Sequence, residues 1–344
     1  MTETLSNRER RVLEAVIQSY VETAEPVGSR TVARRFGLGV SAATIRNVMS
    51  DLEVKGYLFH PHTSAGRVPT DSAYRLYVDS LISLPALSAV QRDRLREDLV
   101  ADGSAISAII RRTALALSVL TQELGVAVAP SLDAAELERL ELLPAATDRL
   151  LLVLTLRSGV VRTVFVQVPG TLHPEAVARI STVLNERLAG LTLRDIRATL
   201  PERVRDTAAT PVESELLDIF VATGDQLFDL PAEGDAVVLG RTSVLAEQPE
   251  FSSGPKMREL IELTERRDVL RRAMESRANS VGLTVTIGGE NESQSLSQLT
   301  LVTAPYRSGA LAGVIGVLGP TRMPYEKVVA VVEHTSKLIG DLLR

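Results

Sequence analysis

Ser41-Ala42-Ala43-Thr44-Ile45-Arg46-Asn47-Val48-Met49-Ser50-Asp51-Leu52-Glu53-Val54-Lys55-Gly56 decides how the amino-terminal part of this chain folds. Ile45, Val48, Met49 and Leu52 fall at i, i+3, i+4 and i+7, one stripe of an α-helix that must face a core. Winding at about 100° per residue puts Ala43, Arg46, Asn47 and Ser50 on the opposite side. That face is small, hydrogen-bonding and cationic, so it suits a polar partner. Ser41 is a good N-cap and Gly56 a good residue just past the end, so both termini are marked.

Upstream, Ser6-Asn7-Arg8-Glu9 has the form of a capping box, and Val12, Ala15, Val16, Ser19 and Tyr20 follow at helical spacing. The first helix is expected to run to about Glu22, where Glu25-Pro26-Val27-Gly28 interrupts. Ser29 is then expected to cap a short helix that turns Val32, Ala33 and Phe36 inward and closes at Gly37. Three helices with a Gly-containing turn before the third form a helix-turn-helix, whose later helix enters the major groove. Downstream, Tyr57-Leu58-Phe59-His60, a turn-forming loop and Arg67-Val68-Pro69 predict a hairpin beside that helix, a wing. Thr70 caps a fourth helix carrying Tyr74, Tyr77, Val78 and Leu81.

If this face meets DNA, Arg46 and Asn47 are the expected base-edge readers, by the Arg–guanine and Asn–adenine pairings. Ser41, Thr44 and Ser50 are expected to position the helix on phosphates, with Ala43 on the same face. His62, Thr63, Ser64 and Arg67 of the wing are expected at the backbone or minor groove, with Arg67 the natural phosphate contact. A three-helix cluster with a wing also serves as a protein-interaction module. His60 and His62 sit two apart, as metal ligands on one strand face do, but lack a third ligand nearby and read more simply as loop residues.

The chain has 344 residues, 45% of them hydrophobic, enough for two or three cores, and we expect three. Without cysteine there are no disulfides, thiolate zinc sites or thiol nucleophiles. No run approaches the roughly 18 apolar residues that span a bilayer, and the amino terminus lacks a secretory layout, so no membrane partner and a cytoplasmic location are expected. The net charge is −5, but residues 1–75 hold ten Lys and Arg against eight Asp and Glu, leaving 28 against 35 beyond. A mildly basic module on an acidic body suits DNA contact confined to one end. The four histidines form no recognisable triad spacing, so no enzyme activity, cofactor or metal is expected. Gly288-Gly289-Glu290-Asn291 lacks the Lys-Ser/Thr of a phosphate-binding loop and reads as a solvent-exposed turn.

Past residue 85, Ser83-Leu84-Pro85 reads as a linker, and Ile106, Ile110, Thr113, Leu117, Leu120 and Leu124 repeat at steps of four and three. Such a seam packs on another helix, either within its own domain or in a second subunit. Residues 150–156 and 160–168 predict one hairpin and residues 299–304 and 311–318 another, read together as one antiparallel sheet flanked by helices at 174–188 and 325–343. Between them, a helical stripe at Val212, Leu216, Ile219, Phe220, Thr223 and Leu227, a strand at 236–239 and a long charged helix at 257–277 look like an insertion.

Three strings stand out together: Val40-Ser41-Ala42-Ala43-Thr44-Ile45-Arg46-Asn47 with Asp51-Leu52-Glu53, Pro61-His62-Thr63-Ser64-Ala65-Gly66-Arg67-Val68-Pro69-Thr70-Asp71, and Gly316-Val317-Leu318-Gly319-Pro320-Thr321-Arg322-Met323-Pro324-Tyr325. On these strings the sequence resembles the heat-inducible transcription repressors of the HrcA family. The likeness extends over essentially the whole chain, with Pro324 replacing an expected polar residue. The resemblance implies an α+β multidomain chain: a winged helix-turn-helix at 1–85, a GAF-like antiparallel-sheet domain at 86–199 and 280–344, and an inserted α/β dimerisation domain at 200–279. It further implies a homodimeric repressor on an inverted-repeat operator in double-stranded DNA ahead of chaperone operons, with activity modulated by chaperonin. The alternative is a winged-helix regulator that senses a metabolite.

Overall fold

The computed structural model describes residues 5–62, 65–81, 87–99, 106–146, 148–168, 173–205, 207–208, 210–228, 237–278, 280–308 and 311–343. The chain is mixed α+β and divides into two compact units, Met1–Val128 with Val237–Tyr306 and Val314–Leu343, and Ala129–Ala236 with Arg307–Gly313.

The first unit opens with α1 (Asn7–Thr23), α2 (Ser29–Phe36) and α3 (Ala42–Val54). The Ser6–Glu9 capping box starts α1 as the sequence predicts, with Ser6 N donating to Glu9 Oε2 at 2.7 Å. The cap of α2 differs by one residue: Gly28 is the cap and Ser29 is already helical and buried. Strands β1 (Leu58–Phe59) and β2 (Val68–Pro69) pair antiparallel, Leu58 opposite Pro69 and Phe59 opposite Val68. The hairpin is tied back to the α1–α2 connection, with Val27 N donating to Arg67 O at 2.8 Å and Arg67 N to Val27 O at 2.9 Å. Thr70 caps α4 (Asp71–Leu76), which continues as a wider π-helical turn over Tyr77–Leu81. The expected linker at residues 83–85 lies outside the described residues.

Next come α5 (Ala89–Leu99) and α6 (Ile106–Thr121). The four-three seam is the buried side of α6, packed on α5 and on the carboxy-terminal helix of the same unit. Leu124 leaves that seam, because the chain turns at Gln122 with positive φ and starts β3 (Leu124–Ser131).

The second unit holds β4 (Leu137–Ala146), β5 (Arg149–Leu156) and β6 (Val161–Gln167), an antiparallel three-stranded sheet. Helices α7 (Pro174–Leu188), α8 (Leu193–Val204) and α9 (Pro211–Phe228) pack together, α7 directly on β4. Along β5 every second residue is buried, from Leu150 through Leu152 and Leu154 to Leu156, so one sheet face meets a core and the other does not.

Back in the first unit, the chain runs through β7 (Val237–Leu239), α10 (Ser243–Ala246), α11 (Gly254–Glu265), α12 (Arg267–Glu275), β8 (Thr284–Ile287), β9 (Leu299–Ser308), β10 (Leu311–Pro320) and α13 (Tyr325–Leu342). The five strands order as β7-β3-β10-β9-β8. Alternation along β9 and β10 splits their side chains between two cores. Val302, Ala304, Ile315 and Val317 join the cluster of α6 and α13, whereas Leu299, Leu301, Val314 and Leu318 join that of α11 and α12.

This corrects three expectations. The two hairpins belong to different sheets, because β4 pairs with β5 and completes a sheet with the first hairpin, while β3, β7 and β8 flank the second. The charged segment at 257–277 is two helices, broken at Arg266 (φ −84, ψ 64), whose apolar sides cover the five-stranded sheet. Gly288-Gly289-Glu290-Asn291 is exposed as expected only at Gly289 and Glu290; Gly288 and Asn291 are buried, and Gly289 N donates to Asp71 Oδ2 on α4 at 3.1 Å.

Candidate nucleic-acid interface

The ends of α3 are built as its sequence demands. Ser41 Oγ accepts from Thr44 N at 3.1 Å. At the other end Gly56, at φ +80, lets Gly56 N reach Glu53 O at 3.0 Å and Tyr57 N reach Leu52 O at 2.9 Å, the paired bonds of a Schellman turn. Ile45, Val48, Met49 and Leu52 are buried. On the far side Ala43, Arg46 and Asn47 are exposed and Ser50 is half-buried. Arg46 and Asn47 thus present free side chains on a helix whose axis and rotation are set by its buried stripe.

The hydroxyls on this helix are partly committed to it. Ser41 Oγ and Thr44 Oγ1 are 3.0 Å apart, and Ser50 Oγ donates to Arg46 O at 3.2 Å. They shape the surface more than they extend from it.

Glu53, on the last turn of α3, binds the hairpin and was not foreseen as part of the site. Its Oε1 lies 3.0 Å from His60 Nδ1 and its Oε2 2.8 Å from Arg67 Nη2. Arg67 is therefore no extended surface cation: its side chain is 12% exposed, and its buried Nε–H has no acceptor in the structure. His62 is exposed and its carbonyl accepts from Ala65 N at 2.9 Å, closing the hairpin end. Thr63 and Ser64 lie outside the described residues.

Between the start of α2, the middle of α3 and the hairpin lies a cleft of about 530 Å³, lined by Gly28, Ser29, Arg30, Arg46, Ser50, His60 and Arg67 among others. The first backbone N–H groups of α2 open here, with a partial positive charge and no intrahelical partners. The Arg30 and Arg46 guanidiniums add to them, while Arg67 and His60 are held by Glu53, so the cleft suits a phosphate-sized anion. Gly28-Ser29-Arg30 was readable as a helix start, but nothing in its spacing placed it against Arg46. Behind the site, Lys55 Nζ donates to Glu9 Oε1 at 2.8 Å and ties α3 to the start of α1; this bond first, and Ser6 next, hold the Glu9 carboxyl down at about 2.

No helix among the described residues is long and apolar enough to cross a membrane. A solved structure described only as a hypothetical protein superposes with a TM-score of 0.65 over 99% of each chain at 23% identity, which speaks for the fold alone. Residues 107–329 match the family model described as the HrcA protein C terminal domain. The heat-inducible transcription repressor HrcA of Geobacter sulfurreducens is 38% identical over 343 residues, 98% of each chain. That of Chlorobium phaeovibrioides is 37% identical over 342 residues, 96% of this chain and 95% of its own. By both measures this chain belongs to the HrcA family of heat-inducible transcription repressors.

Proposed function

We propose that the chain represses chaperone operons by binding, as a homodimer, an inverted-repeat operator in double-stranded DNA, and that chaperonin sets how much of it is competent to bind. The observation that carries the reading is the split of α3 into a buried apolar stripe and an exposed Ala43–Arg46–Asn47 face. In this reading residues 5–81 are a winged helix-turn-helix, α3 enters the major groove, and Arg46 and Asn47 read base edges. The cleft at the start of α2 seats a backbone phosphate between Arg30 and Arg46. The wing tip, with His62, Thr63 and Ser64, lies along the adjacent backbone. The five-stranded sheet between α6/α13 and α11/α12 is the GAF-like domain.

Asn47→Ala is expected to cost about 1–3 kcal/mol on the operator and little on random duplex, narrowing the ratio between them. Titration of both duplexes at two salt concentrations checks it. Equal losses on both would assign Asn47 to backbone contact.

For the dimer, the three-stranded sheet is the surface of choice, rather than the 200–279 segment. Its face away from the core exposes Leu143 at 47%, Val161 at 54% and Phe165 at 64%. Leu143, Leu151 and Phe165 stand in one cross-strand row, making a continuous apolar band on the isolated chain. Phe165→Asp should turn the dimer into monomer in sedimentation and abolish the advantage of two half-sites over one. An unchanged dimer would move the interface elsewhere.

Chaperonin dependence rests on family membership. Footprinting of genomic fragments with and without added chaperonin tests operator and partner together. Protection of palindromic sites that strengthens with chaperonin supports the reading, and no protected site under either condition defeats it.

A further inference from the structure

Arg322, in the turn between β10 and α13, belongs to the Gly316–Tyr325 motif and takes no part in the proposed DNA contacts. Its side chain is 11% exposed. Nε donates to Glu250 Oε1 at 2.6 Å, and Nη2 reaches Glu250 Oε2 at 3.0 Å and Gln248 Oε1 at 2.9 Å. The remaining edge leaves the body: Nη1 donates to Val21 O at 2.8 Å. Val21 is in the last turn of α1, where carbonyls have no partner within the helix and a cation meets the negative end of the dipole. The next carbonyl back, Tyr20 O, is already used by Ala24 N. A guanidinium aligned by a bidentate carboxylate thus takes over an end of α1 that its own sequence leaves open, since no basic residue lies in its last turn.

The surroundings make this bond consequential. Glu123 is 2% exposed and burial pushes its carboxyl well up; the carboxyl that hydrogen-bonds Arg322 is that of Glu250. The Tyr74 hydroxyl is buried without a partner, and the Tyr74 and Tyr325 rings lie 5.7 Å apart. Around that apolar seam a second set of bonds holds α4: Asp71 Oδ2 accepts from Gly289 N, Arg75 Nη1 donates to Val285 O at 3.2 Å, and Tyr77 OH donates to Glu326 Oε1 at 3.0 Å. The α4 bonds fix one side of the amino-terminal module. Arg322 fixes the carboxy end of α1, some fifty residues earlier in the chain.

We propose that Arg322, aligned by Glu250, is a positioning residue: it locks the rotation of the DNA-binding module on the five-stranded-sheet body, and so sets the half-site spacing that the dimer reads. The spacing consequence rests on the dimeric operator reading above, whereas the lock itself does not. Simultaneous engagement of two half-sites is worth about 10²–10⁴ in affinity and vanishes when geometry forbids it. A locked module gives a sharp optimum in spacing; an unlocked one gives a low, broad one.

Two measurements on the full-length dimer test this with Arg322→Ala, Arg322→Lys and Glu250→Gln. The first titrates duplexes whose half-sites are separated by increasing numbers of base pairs, together with an isolated half-site. The parent should show one sharp optimum; Arg322→Ala should flatten it while half-site affinity stays within about twofold, and Arg322→Lys, which cannot form the fork, should fall between. The second uses the absence of native cysteine. Spin labels at Arg34→Cys and Lys337→Cys, both exposed, in dimers diluted with unlabelled protomers, report the module-to-body distance. A narrow distribution in the parent that broadens in the variants supports the lock. Equal widths overturn it, whatever the DNA result. Equal spacing profiles with broadened distances overturn the spacing claim alone, and a parent without any spacing preference overturns the operator reading with it. Should Arg322→Ala fail to fold, Glu250→Gln, which keeps the guanidinium and removes only its charged clamp, is read by the same two criteria.

Discussion

Leu52→Ala is expected to lower the free energy of unfolding by about 2–5 kcal/mol, the range for emptying a fully enclosed leucine site. Leu52 is completely buried in the cluster that includes Val12, Val16, Ile45 and Met49. Its backbone carbonyl accepts from Tyr57 N in the turn after α3, a bond that alanine preserves, so the loss reports the side chain. With the stripe weakened, the rotation that points Arg46 and Asn47 outward is no longer imposed, and operator affinity should fall together with stability. Denaturant unfolding followed by DNA titration checks both. Val54→Ala, two residues on and 89% exposed, is the matched control and should stay within about 0.5 kcal/mol of the parent. A Leu52→Ala protein as stable as that control would mean that the amino-terminal helices do not share the core described here.

Gly66→Ala should be the next most damaging change, although it adds a single methyl. A Cβ at Gly66 would stand 2.5 Å from the Val27 carbonyl oxygen and 2.6 Å from the Pro26 carbonyl carbon. These are backbone atoms, and the two Val27–Arg67 hydrogen bonds hold them in place. Relief requires the hairpin to leave the α1–α2 connection, breaking both bonds and pulling Arg67 from Glu53. Overpacking of this kind costs about 1–3 kcal/mol before the lost bonds are added. We expect a lower melting temperature and weakened binding to operator and random duplex alike, because the phosphate cleft loses one wall. Gly254→Ala, where nothing lies within 4 Å, provides the comparison and should be close to neutral. Full retention of melting temperature and DNA affinity in Gly66→Ala would show that the hairpin sits elsewhere in solution.

Much of the amino-terminal module was legible from local rules. The i, i+3, i+4, i+7 stripe of α3, its Ser41 cap, the Gly56 terminus and the Ser6–Glu9 box are each written within a few residues, and each appears in the structure. The Glu53 partner of Arg67 was not legible, for the opposite reason. A basic residue in a hairpin looks free until a carboxylate fourteen residues earlier is found beside it. Glu53 carried no signal of its own, since an acidic residue on an amphipathic helix is ordinarily a solvated one.

Strand order was the other loss. Residues 150–168 and 299–318 share a strand, Ser-Gly, strand layout, and similarity of pattern invited their union in one sheet. Pairing depends on which edges meet, and two strands missed in the sequence captured those edges: β4, with one buried and one exposed face, and β3, buried on both faces.

What the sequence determined by itself, then, was set by short-range periodicity and backbone chemistry: the caps of α1 and α3, the Gly56 terminus, the buried side of α3, the outward Arg46–Asn47 face, and membership of a family through motifs at both ends of the chain. Only the tertiary structure decided the partners of Glu53, Arg67 and Arg322, the sorting of strands into two sheets, and the seat of α11 and α12. Those depend on contacts between residues tens to hundreds of positions apart, such as Arg322 with Val21 and Asp71 with Gly289. Such contacts follow from the packing of whole elements, and no local spacing encodes them.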